Sequence, residues 1–118
     1  MSHTIDWTTI ADIVTNSNGT AIKFGNGLML CYKTFTNGEI LTDPTYGVKQ
    51  WTFPVPFVDV PSAFACNTRG QDNYTFYTAR VNSLTETNVQ FMWSTITNQV
   101  AANTRLNVCP HYAIGRWK

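Results

Sequence analysis

The 118-residue chain has few charged side chains and no long apolar run. Only 13% of its residues are charged, and the eight basic and seven acidic residues leave a formal net charge of +1. A nucleic-acid-binding surface needs clustered Lys and Arg, and the sequence contains no such block. No apolar stretch approaches the length of a membrane-spanning helix. We therefore expect neither nucleic acid nor a membrane among its partners.

Cysteine is also scarce, and its spacing bears on redox state. Cys31, Cys66 and Cys109 lie far apart without CxxC spacing, which disfavours a disulfide framework and a zinc site. Each lies in an apolar, strand-like run, so we expect three buried thiols in a protein made in a reducing compartment. A disulfide between Cys31 and Cys109 is the alternative.

The residues that usually perform catalysis are equally sparse. There are two histidines, His3 and His111, and the acidic residues are scattered without paired spacing. No P-loop, HExxH or dinucleotide-binding motif is present. Cys109 and His111 lie two residues apart, but a buried cysteine beside a core or interface histidine is the simpler interpretation. The sequence therefore predicts a protein that is not an enzyme and that needs no cofactor or metal.

What the sequence does contain is β-structure. Hydrophobic residues make up 43% and aromatic residues 14% of the chain. Short apolar runs alternate with turn signals such as Gly25-Asn26-Gly27, a tight hairpin. The predicted strands are residues 20–24, 28–35, 48–53, 62–68, 74–84, 88–96 and 106–117. About six to seven such strands at regular spacing predict an all-β antiparallel sandwich.

The first residues differ from the rest. Residues 6–14 are the one helix candidate, because Asp6 is a plausible N-cap and Ile10, Ile13 and Val14 would share one helix face. At about two turns, this helix would have to pack on something. We therefore expect residues 1–17 to be a helical or linker segment and residues 18–118 to be the β-sandwich domain.

Two strands indicate an oligomer. In residues 74–84 and 88–96, large apolar groups occur at both odd and even positions, so both faces of the strands carry them. An isolated sandwich would expose one of these faces to water. This pattern favours burial of one sheet face against another subunit.

Three segments in series carry a family resemblance: residues 18–32 (NGTAIKFGNGLMLCY), 51–57 (WTFPVPF) and 112–118 (YAIGRWK). In this order they resemble the distal receptor-binding domain of tailed-phage tail fibres and tail spikes, which is similar to the H-type lectin sandwich. The resemblance covers about residues 5–118. It implies a homotrimer at the fibre tip in the virion, assembled in the host cytoplasm, attached to the rest of the fibre and binding a bacterial surface glycan such as lipopolysaccharide or capsule.

The same resemblance implies a site between subunits. An Arg in mid-strand and a Trp in the next strand match Arg80 and Trp93, with Ser94 beside them and Asp72 or Asn73 in the adjoining turn. Metal-threading His-x-His pairs of some fibre tips do not occur here, so no metal is carried over.

Other interpretations stay open. Trp93 could serve packing alone, and Arg80 could form an ion pair or hydrogen bond between subunits. Binding could use loops instead, in residues 36–47 with Tyr46 or in residues 97–104. The function could be that of a purely structural tail or baseplate trimer, a binder of an outer-membrane protein, a glycan depolymerase, or a lectin or bacteriocin fibre part.

Overall fold

The fold is all-β, in a computed structural model that describes residues 9–35, 39–40, 48–66, 68–69, 76–94, 105–106 and 109–118. This part of the chain contains no helix, and every strand pair is antiparallel. Its strands are β1 (Ile10–Asn16), β2 (Gly19–Phe24), β3 (Leu28–Phe35), β4 (Glu39–Ile40), β5 (Val48–Thr52), β6 (Ser62–Ala65), β7 (Thr68–Arg69), β8 (Phe76–Leu84), β9 (Asn88–Ser94), β10 (Arg105–Leu106) and β11 (Cys109–Arg116).

A five-stranded sheet has the order β1-β2-β3-β11-β6. The turn between β2 and β3 closes with a 3.0 Å hydrogen bond from Gly27 N to the Phe24 carbonyl, and Asn26 Oδ1 accepts a bond from Leu28 N. Gly27 has φ 97°, a left-handed conformation that glycine adopts at little cost. The predicted hairpin is confirmed.

The prediction of a helix over residues 6–14 is wrong for residues 10–14, which belong to β1. Val14 pairs with Ala21, and the turn that follows β1 is held by a 2.8 Å bond from Asn18 N to Asn16 Oδ1. A two-turn helix is unstable alone because nucleation is costly, whereas pairing with β2 satisfies the backbone groups of this segment. Residues 6–8 lie outside the described part of the chain.

The remaining strands form a four-stranded sheet of order β5-β9-β8-β7 and a two-stranded pair of β10 with β4. In the four-stranded sheet the pairing of β8 with β9 shifts between Val81 and Ser83, where β8 has an irregularity. Strand alternation directs Val89, Phe91 and Trp93 to one face of β9, and all three are buried.

Both larger sheets contribute side chains to a single core. The five-stranded sheet supplies Ala21, Met29, Cys31, Phe35 and Ala113, and the four-stranded sheet and its continuation supply Trp51, Phe53, Phe57, Val89, Phe91 and Trp93. His111 on β11 is 1% exposed, and its ring centroid lies 4.3 Å from Phe35 and 4.9 Å from Phe91. His111 is therefore a core residue at the contact between the two sheets.

The cysteines do not behave alike. Cys31 is a free, fully buried thiol, as expected. Its backbone pairs with Ala113, and Cys109 lies four residues away from Ala113 along β11. Four residues of a strand span roughly 13 Å, which is too far for a disulfide, so the alternative disulfide between Cys31 and Cys109 is not formed. The expectation that Cys66 is buried is wrong, because it continues the alternation of β6 on the exposed side. The side chain of Cys109 lies outside the described part.

The last residues are fixed to the hairpin of β2 and β3. Trp117 N donates to the Gly27 carbonyl at 2.9 Å, and its indole Nε1 donates to the Phe24 carbonyl at 2.8 Å. The Val58 N donates to the Arg116 carbonyl at 3.0 Å on the other side. Trp117 packs against the core, as its apolar character predicts.

Candidate functional site

Arg80 lies in mid-strand on β8, on the side of the four-stranded sheet that faces away from the core. It is paired with Met92 across the ladder, and its Nη2 donates to the Met92 Sδ at 3.0 Å. The Arg80 side chain is exposed, and Met92 is half-buried beneath it. The thioether is a weak acceptor, so most of the five guanidinium donors remain directed to solvent.

Three amide side chains share this face with Arg80. Asn82 Nδ2 donates to Gln90 Oε1 at 2.5 Å, which ties β8 to β9. Gln90 is in turn the direct cross-strand partner of Gln50 on β5. We call the surface formed by these side chains the polar face; its members are Gln50, Arg80, Asn82, Gln90 and Met92.

Trp93 does not belong to the polar face. It pairs with Ala79, the neighbour of Arg80, and therefore points to the opposite side of the sheet. It is 0% exposed, and its ring centroid lies 5.8 Å from that of His111. Its Nε1 finds no acceptor among the described residues. The structure thus does not bring Arg80 and Trp93 together, and it places Trp93 in the core as a packing residue.

The other residues suggested for the site add little. Ser94 is the last residue of β9 and pairs with Thr78, but its side chain is not described. Asp72, Asn73 and Tyr46 lie outside the described residues. The loop hypothesis for residues 97–104 falls outside them as well.

The polar face has the chemistry of a hydrogen-bonding surface. A guanidinium offers donors in a fixed plane, while each amide offers two donors and an acceptor. Neighbouring hydroxyls of a sugar ring present the complementary acceptors and donors at similar spacing. Gln50, Asn82 and Gln90 were not predicted from the sequence; the signal available was the polar pair Arg80 and Asn82 at alternate positions of β8, together with the amides Asn88 and Gln90 at alternate positions of β9.

Within the described residues, no group of three or more His, Cys, Asp or Glu side chains could hold a metal ion. The same part of the chain has no helix long and apolar enough to cross a membrane.

Comparisons with known proteins bear on the fold. No family model matches the chain, and no curated protein matches it. Among solved structures, it is similar to the P. aeruginosa R1 pyocin fibre comprising C-terminal residues 323–701, with a TM-score of 0.58 at 15% sequence identity. The matched part of this chain shares its fold with part of that pyocin fibre structure. The match covers 86% of this chain but only 27% of the pyocin fibre chain, so the chain spans about a quarter of that structure.

The structural similarity to the pyocin fibre supports the resemblance to phage-type fibre domains at the level of the fold. At this identity it shows a shared fold and does not extend to ligands or assembly. The likeness to H-type lectins is not confirmed.

Proposed function

We propose that this domain is a receptor-binding domain of a phage or phage-tail-like fibre, and that its polar face binds a saccharide on the bacterial surface. The observation that carries the proposal is the row of Arg80 and amide side chains on the outer face of the four-stranded sheet, in which Arg80, Asn82 and Gln50 are exposed. The fibre-type fold supports the cellular context. The two sheets form a sandwich, and three copies assemble at the end of a fibre.

The composition of the polar face favours a neutral or weakly anionic glycan. Amides recognise hydroxyls without requiring charge, and one guanidinium accommodates a single carboxylate or phosphate group. Such a shallow surface excludes little water, so each site is weak. Three sites on one tip, and several fibres on one particle, raise the avidity without any new contact. Neutral or singly charged segments of lipopolysaccharide or capsule are the glycans that fit this description, and no catalytic step is part of the proposal.

The test is substitution of Arg80 in the purified protein, with binding measured on an array of bacterial glycans. The variant Arg80→Ala removes charge-assisted hydrogen bonds worth about 1.5–3 kcal/mol, which corresponds to a loss of roughly tenfold to a hundredfold in affinity. The matched control is Arg116→Ala, because Arg116 is also an exposed arginine but lies on the other sheet.

Three outcomes would contradict the proposal. Equal losses in the two variants would mean that charge alone, rather than the polar face, drives binding. Dissociation of the assembly by Arg80→Ala would make Arg80 an interface residue. Binding of the wild-type protein to whole cells but to no purified glycan would point to an outer-membrane protein as the receptor.

A further inference from the structure

The outer face of the five-stranded sheet is apolar across four of its strands. The strand register places one residue from each of β1, β2, β3 and β11 side by side, and each is a direct Cα partner of the next: Ile13, Ile22, Leu30 and Ile114. Because paired residues project to the same side of a sheet, these four side chains form one continuous aliphatic row.

A second row, which includes three aromatic side chains, runs beside the first. Its members are partners in the same way across β2, β3, β11 and β6: Thr20, Tyr32, Tyr112 and Phe64. The rings of Phe64 and Tyr112 are stacked, with centroids 5.2 Å apart and planes inclined by 27°. We call the two rows, together with Ile10, Phe24 and Leu28 at one end, the apolar face.

The apolar face is large enough to serve as an interface. Six of its side chains are between 37% and 55% exposed: Ile10, Ile13, Leu28, Tyr32, Phe64 and Ile114. At roughly 200 Å² for each large side chain, they expose on the order of 500 Å² of apolar area. That is near the upper end of the largest patches on monomeric proteins, about 300–600 Å². The half-buried Ile22, Leu30 and Tyr112 add to it, so the face approaches the roughly 800 Å² that one partner contributes to a stable interface.

Charge is nearly absent from this surface. Among the described residues on the outer face of the five-stranded sheet, Arg116 alone is charged. It lies at a corner of the face beside Asp59, with 3.7 Å between Arg116 Nη1 and Asp59 Oδ2. Depletion of charge is typical of the core of a protein–protein interface. A face without charge also meets an identical face without electrostatic repulsion, which makes another copy of the same chain a suitable occupant.

The outer face of the four-stranded sheet, on the opposite side of the domain, is polar. It is the polar face, whose described side chains include Arg80, three amides and the half-buried Met92. The sequence pattern predicts that one face of the strands now numbered β8 and β9 is buried against another subunit. The large apolar groups of β9 instead point into the core, and the unpartnered apolar surface lies on β1, β2, β3, β11 and β6.

We propose that the apolar face is covered by the same face of other copies of this chain, arranged around a three-fold axis in front of β3. β3 is the central strand of the sheet, so Leu30 and Tyr32 lie nearest this axis. This inference rests on the trimer in the proposed function and names the surface that forms it. The arrangement leaves the polar face directed outward on each subunit.

The experiment compares two lysine substitutions by light-scattering mass. Ile114→Lys introduces a charge into the apolar face, where Ile114 is 38% exposed. Val60→Lys is the matched control, because Val60 is 54% exposed but lies in the segment between β5 and β6. We expect the wild type and Val60→Lys at three times the 13.3 kDa of one chain, and Ile114→Lys at one third of that mass.

A measurement on the wild-type protein covers the case in which Ile114→Lys does not fold. Hydroxyl-radical footprinting read by mass spectrometry reports the accessibility of Tyr32 and Phe64, which are 39% and 52% exposed in a single chain. After each rate is divided by the intrinsic reactivity of its side-chain type, both are expected to be protected several-fold more in the assembly than Val58 and Val60, which are similarly exposed but lie in the segment between β5 and β6.

The outcomes separate this inference from the proposed function. An Ile114→Lys protein that stays trimeric, or a footprint in which Tyr32 and Phe64 are no more protected than the two valines after correction for intrinsic reactivity, overturns the apolar face as the interface while the trimer stands. A wild-type protein of 13.3 kDa overturns both the interface and the trimer. Glycan binding through Arg80 is tested separately by the Arg80→Ala comparison, which neither result decides, although a monomer would lose the avidity of three sites.

Discussion

Replacement of Trp117 by alanine tests whether the end of the chain stabilises the fold. The indole is half-buried against the core, and its Nε1 donates to the Phe24 carbonyl at 2.8 Å. The ammonium groups of Lys23 and Lys118 lie 5.3 Å and 4.9 Å from the ring centroid. Trp117→Ala removes the packing, one hydrogen bond and two cation–π contacts, but leaves the backbone bond to Gly27.

The expected loss of stability follows from these contacts. A fully buried tryptophan replaced by alanine costs about 3–5 kcal/mol, so a half-buried one costs about 2 kcal/mol. The indole hydrogen bond adds about 1 kcal/mol, and the contacts of the ring with the two lysines add a few tenths. We therefore expect Trp117→Ala to lower the free energy of unfolding by about 3 kcal/mol. Trp117→Phe keeps most of the packing and loses the hydrogen bond, so about 1 kcal/mol is expected.

Urea unfolding followed by far-ultraviolet circular dichroism measures both variants without relying on tryptophan fluorescence. With a slope near 1.5 kcal/mol per molar urea, the midpoint falls by about 2 M for Trp117→Ala and by less than half of that for Trp117→Phe. Each curve is recorded at two protein concentrations, because assembly raises apparent stability by mass action. An unchanged midpoint for Trp117→Ala would refute the idea that the terminal contacts stabilise the domain.

Two further predictions concern close packing and a buried thiol. A Cβ on Gly115 would lie 2.9 Å from Phe57 Cδ1 and 3.0 Å from Pro61 Cβ. Gly115→Ala should therefore lower the free energy of unfolding by about 1–3 kcal/mol in thermal melts. Gly25→Ala is the control in the same melts, because a Cβ on Gly25 meets its neighbours only at ordinary contact distances. Burial raises the pKa of the Cys31 thiol from 9.0 to about 12. The folded protein therefore keeps this proton longer than the unfolded chain, and the Cys31 contribution to the free energy of unfolding should be constant below about pH 9 and decline toward pH 12. Peptide-resolved alkylation should modify Cys31 only after denaturation; rapid labelling of the native protein would contradict its burial.

Strands were predicted correctly from the sequence where nearby residues alone determine them, and wrongly where a distant partner decides. The hairpin of β2 and β3 was predictable because glycines mark its turn, and the bounds of β3 agree with the prediction. β1 was not, because Ile10, Ile13 and Val14 fit a helical face as well as a strand. Only the presence of β2 as a hydrogen-bonding partner decides between them, and that partner is not visible in a nine-residue window.

The candidate site was harder to predict, for a geometric reason. Alternation within a strand tells which residues share a face, but it does not relate the faces of two different strands. That relation depends on register: Arg80 pairs with Met92 and not with Trp93, and the irregularity between Val81 and Ser83 changes the alternation further along β8. The assignment of Arg80 and Trp93 to one site therefore could not be checked from the sequence.

The position of β11 in the five-stranded sheet also constrains the order of folding. β1, β2 and β3 form a meander of local hairpins, but β6 has no backbone partner in that sheet until β11 lies between it and β3. Residue pairs such as Leu28 with Arg116 are separated by most of the chain, and loop closure over such distances slows folding. Until β11 arrives, β3 presents an open edge of unpaired backbone groups to other chains. The early meander is therefore the stage at which this protein is most exposed to misassembly during folding.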